Sequence, residues 1–185
     1  HAVGAAFAVL VILVLLLILA LVQRSKLKKT KKLNAQYSEF ITNLCLAHDS
    51  VAEIDPENKQ IISYKIKNEK LSAIVKALPS AEELLNRFNP LDTKQFQTDT
   101  IPAILERVMK TCTQEEYILR EKQKDGQYHW MSIMVQGVKK EASQHQRVCL
   151  LLKRNVEVTQ SKEVAQREQL QTNLLEAQKA AQDKG

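Results

Sequence analysis

No charged side chain occurs between Ala2 and Val22, and none of the first 32 residues is acidic. Neither proline nor glycine occurs from 23 to 52. The three cysteines, Cys45, Cys112 and Cys149, are far apart and odd in number. Each absence excludes something. An uncharged run with no polar face is not an ordinary surface helix of a soluble domain. A segment free of helix breakers gives no reason for the chain to bend there. Without a CxxC pair a zinc site is not expected, and in a cytosolic domain the three thiols read as small buried hydrophobes.

What fills the first stretch is Leu, Val, Ile and Ala. At the rise of an α-helix it covers roughly 31 Å, the thickness of a bilayer's hydrocarbon core. A secretory signal peptide would carry its positive charge before a shorter apolar run and be followed by a small-residue cleavage site. Here Arg24, Lys26, Lys28, Lys29, Lys31 and Lys32 come after the run, and Gln23-Arg24-Ser25-Lys26 is a poor cleavage site. Residues 2–22 are therefore expected to span the cytoplasmic membrane, with the basic side, and so residues 23–185, in the cytosol. The lipid bilayer is the first expected partner. The chain opens at His1 rather than Met, so a longer parent protein is expected.

The net charge of +6 is local. The six juxtamembrane cations account for it, leaving 21 basic against 21 acidic residues in 33–185. A basic patch beside a span sets topology and attracts anionic lipid. Nucleic acid is not an expected partner, because a neutral domain offers no electrostatic footprint for it.

After the span, Leu33, Tyr37, Phe40, Ile41 and Leu44 recur at three- and four-residue steps, which predicts a linker helix over 23–47 continuous with the membrane segment. Residues 50–55 read as a strand, Asp55-Pro56-Glu57-Asn58 as a turn, and 60–66 as a second strand. Prolines at 79, 90 and 102 divide 69–110 into short helices, one starting at the Ser80–Glu83 capping box and the longest over 99–110. Residues 115–124 and 127–138 are strands joined by Asp125-Gly126, a pair that suits a type I′ turn. After a polar loop at 139–146, residues 147–156 form a strand apolar on both faces and hence central. Gln, Glu, Ala, Lys and Leu fill 159–184, a helical composition, with a thin seam at Leu170, Leu174, Ala177 and Ala181.

Two strands, a cluster of short helices, three strands and an exit helix is the order of a PAS domain. Tyr117-Ile-Leu-Arg-Glu-Lys-Gln-Lys-Asp-Gly-Gln-Tyr-His-Trp130 resembles that family's second hairpin, with its (K/R)-x-D-G-x-x-x-W pattern. Glu157-Val158-Thr159 resembles the Asp-(Ile/Val)-Thr motif between the last strand and the output helix, with Glu in place of Asp. The resemblance covers about residues 38–160. It implies an α+β fold: a transmembrane helix, a PAS-like five-stranded antiparallel sheet over 48–158 with short helices on one face, and a signalling helix over 159–185. It further implies a homodimeric bacterial membrane sensor with a downstream output domain in the parent chain. A histidine kinase of a two-component system is the first expectation. A diguanylate cyclase or a non-catalytic membrane scaffold is the alternative.

Leu175-Glu-Ala-Gln-Lys-Ala-Ala-Gln-Asp-Lys184 resembles the lead-in to a phosphoacceptor helix, but no phosphoacceptor His motif and no GGDEF is present. No catalytic activity is expected of this chain. Glu157 and Thr159 are the implied signal-transmission residues. Trp130, on the outer face of the sheet, is expected to support dimerisation or helix docking.

No cofactor is expected. Neither Cys45 nor Cys112 lies in the N-C-R-F-L-Q context of a flavin photosensor. His48 precedes the first strand, His129 lies in a strand and His145 in a loop, so none suits an axial haem ligand. Cys45 and His48 fall on one helical face, but no third group orients them as a nucleophile and base. Ile62, Tyr64, Phe88, Ile104 and Met131 are candidates to line a pocket, although filling a core of ordinary density is the favoured reading of them.

Overall fold

A computed structural model of the chain describes residues 2–96, 100–140 and 146–183. The fold is α+β. A long N-terminal helix, α1 (Ala2–Ala47), leads into strands β1 (Ser50–Asp55), β2 (Gln60–Lys67) and β3 (Lys70–Ala77). Three short helices follow, α2 (Ala81–Leu85), α3 (Pro90–Thr93) and α4 (Thr100–Thr111). Then come β4 (Gln114–Lys122), β5 (Tyr128–Lys140), β6 (Gln146–Asn155) and the exit helix α5 (Glu157–Gln182). All strand pairs are antiparallel, in the order β3-β2-β1-β6-β5-β4.

The sheet has six strands, not five. Residues 70–77, expected in a helical stretch, form the edge strand β3. Asn68 and Glu69 both adopt positive φ, 49° and 63°, and Lys67 pairs with Lys70 across them. This is a two-residue turn of the kind that Asn-Gly usually marks. With Glu in the second place it carries no such signature. The strand is exposed over most of its length, so no buried face imposes an alternating pattern on it.

The turn expected at Asp125-Gly126 is also different. Only Gly126 has positive φ, 79°. The Gly126 amide donates to the Gln123 carbonyl (3.0 Å), the Gln123 amide donates to the Gln127 carbonyl (2.9 Å), and Asp125 Oδ1 accepts from the Gln127 amide (2.9 Å). The result is a three-residue loop with glycine at its left-handed position rather than a type I′ turn. The polar loop expected at 139–146 is shorter, because β5 runs through Lys140 and β6 begins at Gln146. His145, Asp99, Lys184 and Gly185 lie outside the described residues. At Ser80 the capping box forms, with the Glu83 amide donating to Ser80 Oγ and the Ser80 amide to Glu83 Oε2.

The sheet separates two cores. On the inner face Ile54, Leu119, Met131, Ile133, Val135 and Cys149 pack with Ile104 and Val108 of α4. On the outer face Val51, Leu150 and Leu152 pack with Ile41 of α1. β6 contributes to both, as a central strand must. Along α1, residues 3–32 are exposed throughout, and burial begins only at the stripe of Leu33, Tyr37 and Ile41. Among the described residues α1 is the one helix long and apolar enough to cross a membrane. Its 46 residues extend for roughly 69 Å.

Candidate functional site: the two helix junctions

Both long helices are fastened to the sheet by polar contacts, and both fastenings use carboxylates. Glu53, in the middle of β1, faces α1 and is 1 % exposed. Its Oε1 accepts from the Tyr37 hydroxyl of α1 and from the Tyr64 hydroxyl of β2 (3.2 Å). Its Oε2 accepts from Lys140 Nζ of β5 at 2.7 Å. The same ammonium lies 4.8 Å from the centre of the Tyr37 ring, so Tyr37 is held at both its hydroxyl and its face. Burial, the Glu53 hydrogen bond and the Glu53 charge all push the Tyr37 phenol well above its ordinary range, keeping it a donor.

The second fastening runs in series. After α1 ends, Asp49 Oδ2 accepts from the Asn155 amide (2.7 Å) at the end of β6. Asn155 Oδ1 accepts from the Glu157 amide (2.9 Å) in the first turn of α5. Glu157 Oε2 in turn accepts from the Trp130 amide (2.6 Å) of β5, whose carbonyl receives the Val156 amide (2.9 Å). The end of α1 and the start of α5 therefore meet through three side chains. Of the expected transmission residues, Glu157 and Trp130 belong to this chain of bonds. Thr159 is exposed in the first turn of α5 and takes no part in it.

The sequence did not mark Asp49, Asn155, Tyr37 and Glu53 as residues that join the helices to the sheet. The only signals were an Asp at the helix-to-strand step and a Glu flanked by Val51, Ala52 and Ile54 in the middle of β1. Trp130 is half-buried rather than a bare aromatic patch, because the Arg120 guanidinium lies 5.0 Å from its ring centre. Arg120 is fixed by Asp92 of α3 through paired bonds of 2.7 and 3.0 Å.

These Arg120 bonds hold the Asp92 carboxyl below the usual range, against the opposing pull of burial. A carboxyl lowered by folding stabilises above its unfolded value, near ~3.9, and that stabilisation is lost as pH falls through the folded value. Asp92→Asn should cost about 1.5–3 kcal/mol at neutral pH, and the gap to wild type should close in acid. Urea unfolding at neutral and acid pH measures both.

The remaining candidates are less organised. His48 Nδ1 lies 3.0 Å from the Leu44 carbonyl oxygen at the end of α1, and burial raises the Cys45 thiol, opposite to what a nucleophile needs. Cys149 is buried and its thiol pushed up to about 12, whereas Cys112 is exposed, contrary to its expected place in the core. His129 Nε2 lies 2.8 Å from Asp125 Oδ2 across the hairpin end. Among the described residues no three His, Cys, Asp or Glu side chains gather as a metal site. The six juxtamembrane cations are all exposed.

A cavity of about 180 Å³ lies between the sheet and the short helices, bordered by Ile54, Phe88, Phe96, Ile104 and Tyr117. At its side Lys153 Nζ donates to the buried Glu121 at 2.6 Å. Phe88 and Ile104 line it as expected. Tyr64 and Ile62 face the opposite core, through their pairing with Val51 and Glu53, and Met131 is buried in the inner core without bordering the cavity.

No protein-family model matches the chain, and no curated protein does. Among solved structures it is similar to a sensory box histidine kinase/response regulator from Burkholderia thailandensis E264, with a TM-score of 0.41 and 13% identity. The match covers 66% of this chain and 88% of that one.

Proposed function

We propose that the chain is the signal-relay region of a membrane-bound sensor. Residues 2–22 span the bilayer and 23–47 carry displacement inward. Residues 48–158, a PAS-like domain with one extra edge strand, convert it into a change at the root of α5. Residues 159–185 pass it to an output domain, a histidine kinase being the first choice. The bond series Asp49–Asn155–Glu157–Trp130 carries this reading, since it places one polar connection between the helix that enters the domain and the helix that leaves it. Only a difference in stability between two arrangements can transmit a signal, and such a connection is the kind of element two arrangements would share unequally.

The exit helix fits the same reading. Leu170, Leu174 and Leu175 are each more than half exposed, so a single α5 has nothing to bury them. A second copy of this helix is the proposed cover, making the working unit a homodimer.

The test uses the full-length parent. Inserting residues into 23–32 displaces the linker helix and should alter output. Asn155→Ala and Glu157→Ala each remove a bond at the root of α5, worth about 1.5–3 kcal/mol where charge is involved. Either should blunt the response to insertion by roughly tenfold or more while leaving basal output. An insertion response of full size in both variants would sink the relay.

A further inference from the structure

The direction of α1 against the sheet assigns an orientation to the domain. Tyr37 lies on Glu53 and Ile41 packs with Val51, so α1 and β1 run antiparallel. One end of the sheet therefore lies toward the apolar half of α1. Asp55, Gln60, Ala77, Gln114, Lys140 and Gln146 are the strand ends that meet there.

Exposed cations collect at that end. Lys59, Lys76, Lys110, Lys139 and Arg147 are all exposed and come from five different parts of the chain. Lys139 and Arg147 are direct neighbours across the β5–β6 pair. An Arg147 guanidinium N–H donates to the Lys110 carbonyl at 2.7 Å, holding the end of α4 beside them. Lys76 pairs with Ile61, two residues from Lys59.

Most of the nearby acids are already occupied. Glu53 is bound to Lys140, Glu115 to Arg107, and Asp55 to Asn58 and Gln146. Glu57 is exposed, and the sequence adds Glu141. Like charges directly opposite in a sheet are destabilising. Arg147 is used by the fold through its bond to the Lys110 carbonyl, and placing Lys139 opposite it adds a like-charge cost that a partner of opposite charge relieves.

We propose that this end of the domain docks on the anionic phospholipid surface of the leaflet that α1 leaves. The proposal rests on the reading of 2–22 as a membrane span. The spacing fits. From Val22 to Tyr37 the helix extends roughly 22 Å. The end of β1 reaches back about 7 Å of this. The headgroup layer fills about 5–7 Å of what remains. A gap of about 10 Å is left, comparable to the range of unscreened charge at physiological salt. Modest tilt of α1, ordinary for a spanning helix, closes it. Docking would thus couple the tilt of the input helix to the lipid charge beneath it.

Cys112 is exposed at this same end and serves as the probe site. The full chain, with Cys45→Ala to prevent second labelling, is reconstituted in bilayers and labelled at Cys112. Energy transfer is read to an acceptor on the lipid headgroup. Transfer should rise when phosphatidylglycerol is added to phosphatidylcholine and fall again in high salt. In Lys59→Gln/Lys76→Gln/Lys139→Gln the rise should vanish, since each charge at a lipid surface changes the docked fraction by about fivefold.

An inserted wild-type chain indifferent to lipid charge and salt overturns the proposal alone. So does a rise that survives the triple substitution but is lost in Lys26→Gln/Lys28→Gln/Lys29→Gln. A chain that fails to float with phosphatidylcholine vesicles overturns the spanning reading, and the docking with it.

Discussion

Lys140→Met should destabilise the folded chain by about 3–5 kcal/mol, far more than a partly exposed surface lysine normally does. The reason is what stays behind. Glu53 is 1 % exposed and cannot turn to water, because β1 lies between β2 and β6 and α1 covers that face. Without the ammonium its carboxylate keeps two tyrosine hydroxyls and no opposite charge. The Tyr37 ring also loses its cation, so the grip on α1 weakens together with the sheet. Glu53→Gln should cost less, about 1–2 kcal/mol, since the amide still accepts from both tyrosines and Lys140 can extend into water. Replacing both, Glu53→Gln with Lys140→Met, should recover most of the loss, because no unpaired charge stays buried and the amide still accepts from both tyrosines. Thermal unfolding of the four proteins in the same detergent makes the double-mutant cycle. Equal costs for the two single variants would mean that the carboxylate finds water and that α1 is not clasped there.

The long features of the fold were legible in the sequence because one physical pattern ruled each of them. Uninterrupted apolar composition marked the first half of α1, a stripe at three- and four-residue steps marked the second half, and apolarity on both faces marked β6 as central. What stayed hidden depended on three-dimensional neighbours. β3 has no buried face to write an alternation into its residues, and its turn uses Asn68-Glu69 rather than glycine. Glu53 looked like an ordinary polar position in a strand, since the sequence does not say that Tyr37, Tyr64 and Lys140 converge on it. At the exit junction the acidic residue was legible through the resemblance of Glu157-Val158-Thr159. Its partners Asp49 and Asn155 were not, because they lie 106 residues apart and meet only when β1 pairs with β6. The cavity was hidden for a similar reason: composition reports which residues are apolar, not whether they fill the space they enclose.

Gly137→Ala should be nearly as damaging, though it adds a single methyl group. Gly137 is buried in β5, where the end of α4 crosses the inner face. A Cβ at this position would fall inside the van der Waals envelope of the Val108 carbonyl and the Met109 Cα. These are backbone atoms, so no side chain can rotate away. The Gly137 amide also donates to the Thr113 carbonyl at 3.0 Å, and the Thr113 amide to the Val108 carbonyl at 3.2 Å, which pins the end of α4 to the strand. To admit the methyl, α4 must lift as a body. That draws Val108 and Ile104 out of the cluster they form with Ile54, Met131 and Ile133. Overpacking of this sort costs about 1–3 kcal/mol, and the upper end applies where backbone must move. A lone glycine inside a strand often marks such a close approach, which was the one available signal. Hydrogen exchange separates this account from a simple loss of strand propensity. The amides of 100–111 should exchange faster in Gly137→Ala while those of β1 and β2 keep their protection. Trimming the neighbour with Val108→Ala should add its own cost rather than relieve the first, because the obstruction is the carbonyl and not the isopropyl group. Rescue by that second substitution would show that α4 rests on the strand through side chains alone.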